Sequence, residues 1–209
     1  LYKGFHIREG ELEHYDKWIV NEPGFPDLEL HVSDVVLDIG AYIGTFARVA
    51  APRVRQLIAI EPDPRNLPVL YANVADRPNV QVIEAAVVGE QREKNTVLFR
   101  FTASPILGSL FNRRGVDRPV RAIRLSELLR LYRPTVLKID IEGSEWDLDF
   151  RNLPSHVKRI GIELHGQRKH WYEVLMPDLL RVLDEQSFAQ VSVKKTSWNK
   201  RFWLVTLAR

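Results

Sequence analysis

The sequence predicts a doubly wound α/β fold, a Rossmann-like parallel sheet that finishes in a C-terminal antiparallel hairpin. Three observations carry that prediction. The apolar run Val35–Ile39 leads through a turn bracketed by Gly40 and Gly44 into a helix-patterned stretch, which is the order strand, loop, helix. The same order repeats with short connections as far as Ile83, the pattern of a parallel sheet with right-handed crossovers. Near the end, two strand-patterned runs are separated only by Thr196–Lys200, a spacing that suits an antiparallel hairpin.

Taken in order, residues 1–34 are rich in charge and aromatics and read as a lead-in or cap, with residues 35–209 as the main domain. Glu11–Val20 carries Leu12, Tyr15 and Ile19 at helical spacing, and Asn21–Asp27 (NEPGFPD) breaks the pattern. Val35–Ile39 is the first buried strand, and Thr45–Ala51 a short helix ended by Pro52. Gln56–Glu61 is the second strand. Asn66–Ala75 is a helix with Leu67, Leu70 and Val74 on one face, and Asn79–Ile83 is the third strand. Ala85–Val88 is a small apolar stretch. Thr96–Phe101 and Val120–Ile123 alternate as antiparallel or edge strands. Thr102–Arg118 between them, rich in Ser, Gly, Asn and Arg, reads as a mobile loop. Ser126–Tyr132 is a short helix with Ser126 as its N-cap. Thr135–Ile141 is a core strand, Glu145–Phe150 the start of a helix, Val157–Leu164 a further strand and Trp171–Glu185 an amphipathic helix. Ala189–Lys195 and Arg201–Ala208 form the closing hairpin.

The chain of 209 residues suffices for one well-cored α/β domain. Its net charge of +3 is compatible with an anionic partner without requiring one. The lack of cysteine excludes disulfides and thiolate metal sites and fits a reducing, cytoplasmic compartment. No stretch approaches the roughly 18 apolar residues of a membrane span, and no signal peptide is read.

A strand–loop–helix unit brings backbone N–H groups and a helix N-terminus to a polar ligand. A dinucleotide fold would show G-x-G-x-x-G. Here Asp38-Ile39-Gly40-Ala41-Tyr42-Ile43-Gly44 puts Tyr42 where a middle glycine would let backbone approach a pyrophosphate. Asp38 beside the loop would also repel phosphate. S-adenosylmethionine has no phosphate and carries an ammonium and a sulfonium, so a nearby carboxylate is favourable. The loop therefore favours S-adenosylmethionine over NAD. Glu61, at the tip of the second strand, can accept hydrogen bonds from the ribose hydroxyls of either ligand.

The second landmark is Leu137–Trp146, LKIDIEGSEW. A buried strand delivers Asp140 and Glu142 to its C-terminal end, the edge at which doubly wound sheets bind ligands. With that strand beside the first one, Asp140 faces the same cleft. Together, VVLDIGAYIGTF, AIEPDP (Ala59–Pro64), AAVVGE, KIDIEGSEW and IELHG (Ile162–Gly166) resemble the FkbM family of S-adenosylmethionine-dependent methyltransferases. The KIDIEG-type motif is the most specific of these, and the resemblance runs from about Val35 to Gly166. It implies a seven-stranded class I methyltransferase fold and methyl transfer, often to a sugar or natural-product hydroxyl. It also implies that Asp38, Gly40, Ala41 and Gly44 surround the methionine end of the cofactor and that Glu61 holds the ribose. Ala85 and Ala86 would lie near adenine, and Asp140 and Glu142 would line the reacting end. The family usually has Asn where this chain has Tyr42, which implies different packing against the methionine part of the cofactor.

Methyl transfer is an in-line displacement at a sulfonium methyl, so the acceptor oxygen must stand opposite the sulfur. An alcohol benefits from a base within hydrogen-bond reach. The candidates are Asp140, Glu142, Glu163 and His165. Asp140 is the first choice for lining the reaction centre, and His165 has a fitting intrinsic pKa. Glu145 and Trp146 read as a helix start, with Glu145 near the N-terminal dipole. Asp140, Glu142 and His165 offer ligands to a metal, but no paired Asp–Asn spacing points to one, and none is expected. Arg113, Arg114, Arg118, Arg121 and Arg124 read as a solvated face or, more sharply, as a clamp on an anionic acceptor. Lys138 with Asp140 and Glu163 is similar to the lysine–acid sets of ribose 2′-O-methyltransferases, although Lys138 would sit deeper than the reacting end. Trp198, Phe202 and Trp203, near Lys200 and Arg201, either pack the hairpin or stack bases. The expected acceptor is a hydroxyl of a sugar, glycan or small metabolite. The alternatives are a nucleic-acid ribose and a non-catalytic binding domain that retains the fold.

Overall fold

Alternating side chains along each central strand go to opposite faces of one sheet, and different elements cover the two faces. The computed structural model describes residues 2, 4–8, 25, 27–92, 95–103, 110, 115–166, 175–195 and 202–209. In chain order the elements begin with β1 (Val35–Ile39), α1 (Thr45–Ala50), β2 (Gln56–Ile60), α2 (Leu67–Val74) and β3 (Val80–Ile83). Then come β4 (Ala86–Val88), β5 (Thr96–Phe101), β6 (Val116–Arg124) and α3 (Leu125–Tyr132). The chain closes with β7 (Val136–Ile139), β8 (Arg159–His165), α4 (Met176–Asp184), β9 (Ala189–Lys195) and β10 (Phe202–Ala208).

Seven strands form the main sheet in the order β3-β2-β1-β7-β8-β10-β9. The pairings are parallel from β3 to β8, and the β10–β8 and β10–β9 pairings are antiparallel. This is the expected α/β sheet with its C-terminal hairpin, in class I methyltransferase order. The strands β4, β6 and β5 form a small second sheet. On one face of the main sheet Leu37, Ile39, Ile58, Leu137, Ile139 and Ile162 pack with Leu128 of α3 and Leu183 of α4. On the other face Val36, Leu57, Ala59 and Val136 pack with Ala47 of α1, Leu70 of α2, and Phe25, Leu28 and Leu30. The N-terminal residues thus supply part of the cover that helices supply elsewhere.

Four sequence expectations change locally. α1 stops at Ala50, and Pro52 lies inside a following 3-10 turn, Ala51–Arg53, where its missing N–H costs nothing. β6 begins at Val116 rather than Val120, because Val116–Arg121 pair residue by residue with β5. Arg100 and Asp117 also join across that ladder. Ser126 does not cap α3: β6 runs straight into the helix, Arg124 stands at the N-cap position without a side-chain cap, and the buried Leu125 anchors the first turn. The helix expected at Glu145–Phe150 is a single 3-10 turn, Glu145–Asp147. Positive φ at Glu142 (53°) and Gly143 (100°) turns the chain sharply just before it. Glu11–Val20, most of Asn21–Asp27, much of Thr102–Arg118, the first part of Trp171–Glu185, and Thr196–Lys200 lie outside the described residues.

Candidate active site

The winding of the sheet reverses between β1 and β7, which pair directly, so the C-terminal ends of β1, β2, β7 and β8 lie at one edge. Gly40 makes that meeting possible. It has φ +81°, and a Cβ there would lie 1.8 Å from the carbonyl oxygen of Asp140. The loop after β1 and the tip of β7 are therefore in backbone contact, and the two sequence motifs form one site. The loop amides are turned inward. Gly40 and Ala41 donate to the Ile60 carbonyl at 3.0 Å each, Tyr42 donates to Glu61 Oε2 at 2.9 Å, and Gly44 donates to the Ala41 carbonyl at 2.8 Å. A pyrophosphate cradle needs such amides for the ligand. Here those of Gly40, Ala41 and Tyr42 hold the tip of β2 and that of Gly44 closes the loop on itself, which fits a phosphate-free cofactor such as S-adenosylmethionine.

Beneath the loop, Asp38 and Lys138 are register partners on β1 and β7. Asp38 is fully buried, and the Lys138 ammonium stands 3.0 Å from its Oδ1 and donates to the Gly40 carbonyl at 2.7 Å. The next register partner of Lys138 is Gly161 on β8, whose missing side chain leaves room for the Phe25 ring. The rings of Phe25 and Phe46 lie 5.8 and 6.0 Å from the ammonium. Burial pulls the Lys138 pKa down, but Asp38 and Asp140 outweigh it and hold the lysine above its ordinary range. Asp38 thus supports the loop from below rather than presenting its carboxylate to the cleft.

Glu61 follows β2 and is 5% exposed. Its Oε1 accepts from the Asp63 amide and the Asn66 side-chain amide, each at 2.9 Å, and its Oε2 accepts from Tyr42. A carboxylate has about four acceptor positions, so one remains for a ligand hydroxyl among the described residues. Burial pushes its pKa up to about 7. Ala85, two residues beyond β3, and Ala86, the first residue of β4, are buried and form a small apolar surface just past the end of β3.

At the ends of β7 and β8, His165 gathers carboxylates. Its Nδ1 lies 3.0 Å from Glu145 Oε1, while its Nε2 lies 3.5 Å from Glu142, 3.8 Å from Glu163 and 3.9 Å from Asp140. Glu145 is buried and also accepts from the amides of Ile141 (2.9 Å) and Gly143 (3.0 Å). Its carboxylate folds back onto the turn instead of starting a helix. Burial, with the neighbouring acids, pushes Glu142 to about 7 and Glu163 to about 8. Burial pulls His165 down, but the acids outweigh it and hold the imidazole well above its ordinary value. Ligand atoms of Asp140, Glu163 and His165 lie within 4.8 Å of one another, a set chemically able to take a divalent cation. Glu163 replaces the Glu142 of the set weighed from the sequence.

The structure therefore brings Asp38, Gly40, Ala41, Tyr42, Gly44, Glu61, Asp140, Glu142 and His165 to one edge. The part of Lys138 as the loop's counter-charge and of Glu145 as the support of His165 is missed by sequence reasoning. The cross-strand register that pairs Lys138 with Asp38 is invisible in the chain, and Glu145 reads as a helix start. Of the basic stretch, Arg124 pairs with Glu127 at 2.9 Å and Arg118 lies over the Phe101 ring, while Arg113 and Arg114 lie outside the described residues. So do Trp198, Lys200 and Arg201.

Sheet order, inward-turned loop and acid–imidazole edge define a class I methyltransferase fold. In structure the chain is similar to methyltransferase FkbM from Methylobacillus flagellatus KT (TM-score 0.54, 16% identity, covering 86% of this chain and 44% of that one). It is also similar to precorrin-6y C5,15-methyltransferase from Geobacter metallireducens GS-15 (TM-score 0.50, 14% identity, 98% of this chain and 94% of that one). The chain spans less than half the length of the first of these. No curated protein matches it in sequence. The model of the methyltransferase FkbM domain matches residues 38–188, and the chain belongs to that family. Its cofactor is S-adenosylmethionine.

Proposed function

We propose that the protein is an O-methyltransferase that moves the methyl group of S-adenosylmethionine to a hydroxyl of a sugar, glycan or small metabolite. The observation that carries this reading is the cluster of Asp140, Glu142, Glu163 and His165 at the same edge as the loop after β1. The cofactor supplies an electrophilic methyl on sulfur. Asp38, Gly40, Ala41, Tyr42 and Gly44 shape the methionine end, Glu61 accepts from a ribose hydroxyl, and Ala85 and Ala86 face adenine. Asp140, Glu142 and His165 line the acceptor side, where a carboxylate takes the hydroxyl proton as the C–O bond forms and the methyl–sulfur bond breaks, and the charged imidazole orients the acids around it. A nucleic-acid ribose is less well supported, because the Lys138 ammonium is engaged by Asp38 and Gly40 below the reacting edge. The division into a cap (1–34) and a main domain (35–209) and a cytoplasmic location belong to the same reading. Among the described residues no helix is long and apolar enough to cross a membrane.

Incubation with methyl-labelled cofactor and separate pools of sugars, glycans and RNA tests it. Label is expected in a sugar, glycan or metabolite fraction and not in RNA. It is expected to fall by about a hundredfold or more in Asp140→Asn or His165→Asn. Cofactor binding with no transfer to any pool would instead favour a binding domain.

A further inference from the structure

Residues 5–8 lie across the loop after β1 and along α2, from Asn73 near its end to Asn66 just before its start, outside the segment that matches the family model. Asn73 of α2 clamps them. It accepts from the His6 amide at 2.6 Å and donates to the carbonyls of His6 (2.9 Å) and Ile43 (2.8 Å). Phe5 and Ile7 pack with Ile43, Tyr42 and Val69. This places the Arg8 guanidinium 5.4 Å from the centre of the Tyr42 ring, with Nη1 donating to the Tyr42 hydroxyl at 3.2 Å. Its Nη2 donates to the Arg65 carbonyl at 3.3 Å and to Asn66 Oδ1.

The contact with Asn66 sets the direction of a side-chain amide. A guanidinium only donates, so the Asn66 carbonyl oxygen must face Arg8. The Asn66 NH2 group then faces Glu61 Oε1, to which it donates at 2.9 Å. An NH2 group in that place requires an acceptor, and Glu61 Oε1 supplies it, so the amide fixes where that oxygen lies. Asn66 is 1% exposed, so these contacts are made away from solvent. Removing Arg8 takes away a donor to the Asn66 carbonyl oxygen and with it one constraint on the amide that holds Glu61. Asp63, the charged group beside Glu61, is held by Arg65 at 2.6 Å.

We propose that Arg8 is a positioning residue for the cofactor's ribose, acting through Asn66 on Glu61. The proposal rests on the reading of Glu61 as the acceptor of a ribose hydroxyl. Calorimetric titration with S-adenosylhomocysteine and with its analogues lacking the 2′- or 3′-hydroxyl tests it on Arg8→Ala, Arg8→Lys, Glu61→Gln and the Arg8→Ala/Glu61→Gln double variant. Loss of one charge-assisted link predicts affinity about tenfold weaker for Arg8→Ala, with Arg8→Lys between it and the wild type. The double variant is expected to bind within about twofold of Glu61→Gln, because both changes break one chain of contacts. Arg8→Ala is also expected to lose part of the preference for the full ribose over the deoxy analogues, which a merely structural role would leave intact. Wild-type affinity in Arg8→Ala, or losses that multiply while ribose preference is unchanged, overturn the proposal while leaving the role of Glu61 standing. Wild-type affinity in Glu61→Gln overturns the ribose reading and the proposal together.

Discussion

Glu61 shows how a buried carboxyl at a ligand edge affects the free protein. In the unfolded chain it titrates near 4.5, and in the fold burial raises it to about 7. The folded state therefore binds its proton more tightly. Its contribution to stability is present below about pH 4.5 and is lost as the pH rises through 7, to the order of 3 kcal/mol. The melting temperature of cofactor-free wild type is expected to fall more steeply between pH 5 and 8, a range of about this width, than that of Glu61→Gln. Parallel curves would show that Glu61 titrates normally. Lys138 poses the opposite problem, a buried charge with its partner. Lys138→Met leaves Asp38 uncompensated at full burial and is expected to lower the urea-derived stability by about 3–5 kcal/mol. Adding Asp38→Asn should recover part of that loss. A Lys138→Met variant as stable as wild type would mean that the pair is not charged.

At the scale of elements, the loop after β1 and the tip of β7 are joined through Gly40. Asp140 donates its amide to the Ile39 carbonyl at 3.0 Å, and no side chain fits at position 40 beside the Asp140 carbonyl. Gly40→Ala combines a positive φ with a backbone clash. It is expected to cost more than about 2 kcal/mol and to abolish cofactor binding, because the loop and the acid edge separate. Retained binding in calorimetry would show that the two tips move independently. The turn after β7 follows similar logic. Glu145 takes two backbone amides and the His165 ring, so a helix there would compete with the support of His165. The 3-10 turn is what remains once the carboxylate has bonded backward.

At the scale of the molecule, the N-terminal residues complete a face of the sheet. Phe25, Leu28 and Leu30 are buried with Val36, Ala59 and Val136, and Phe25 sits over Gly161 against the Lys138 ammonium. A chain beginning at Ser33 exposes this face. It is expected to lose roughly 5 kcal/mol or more of stability, at about 1.5–3 kcal/mol for each buried side chain. Unchanged urea midpoints would show that the segment is dispensable. The same segment reaches the cofactor edge through Arg8, so stability and cofactor affinity should fall together in that shortened chain.

The parallel core was legible in the sequence because its signals are local. Apolar runs of strand length ending in Gly40, Glu61 and Asp140 need only their own neighbours to be read, and β1, β2, β3, β7 and β8 lie where those runs stand. The expectation from sequence that Asp38 meets the cofactor's positive charge does not carry over, because Asp38 is buried and faces the Lys138 ammonium instead. What depended on register and on long-range approach was not legible. Lys138 meets Asp38 only because β7 pairs with β1 in one register, and Glu163 and His165 reach Asp140 only because β8 lies beside β7. Arg8 reaches Asn66 across 58 positions of chain. Side-chain chemistry and short-range pattern determined where the parallel strands and their tips stand and, through the motifs, the family. Only the tertiary structure decided which charges face one another there, because pairing across strands is a property of the assembled sheet and not of any one segment.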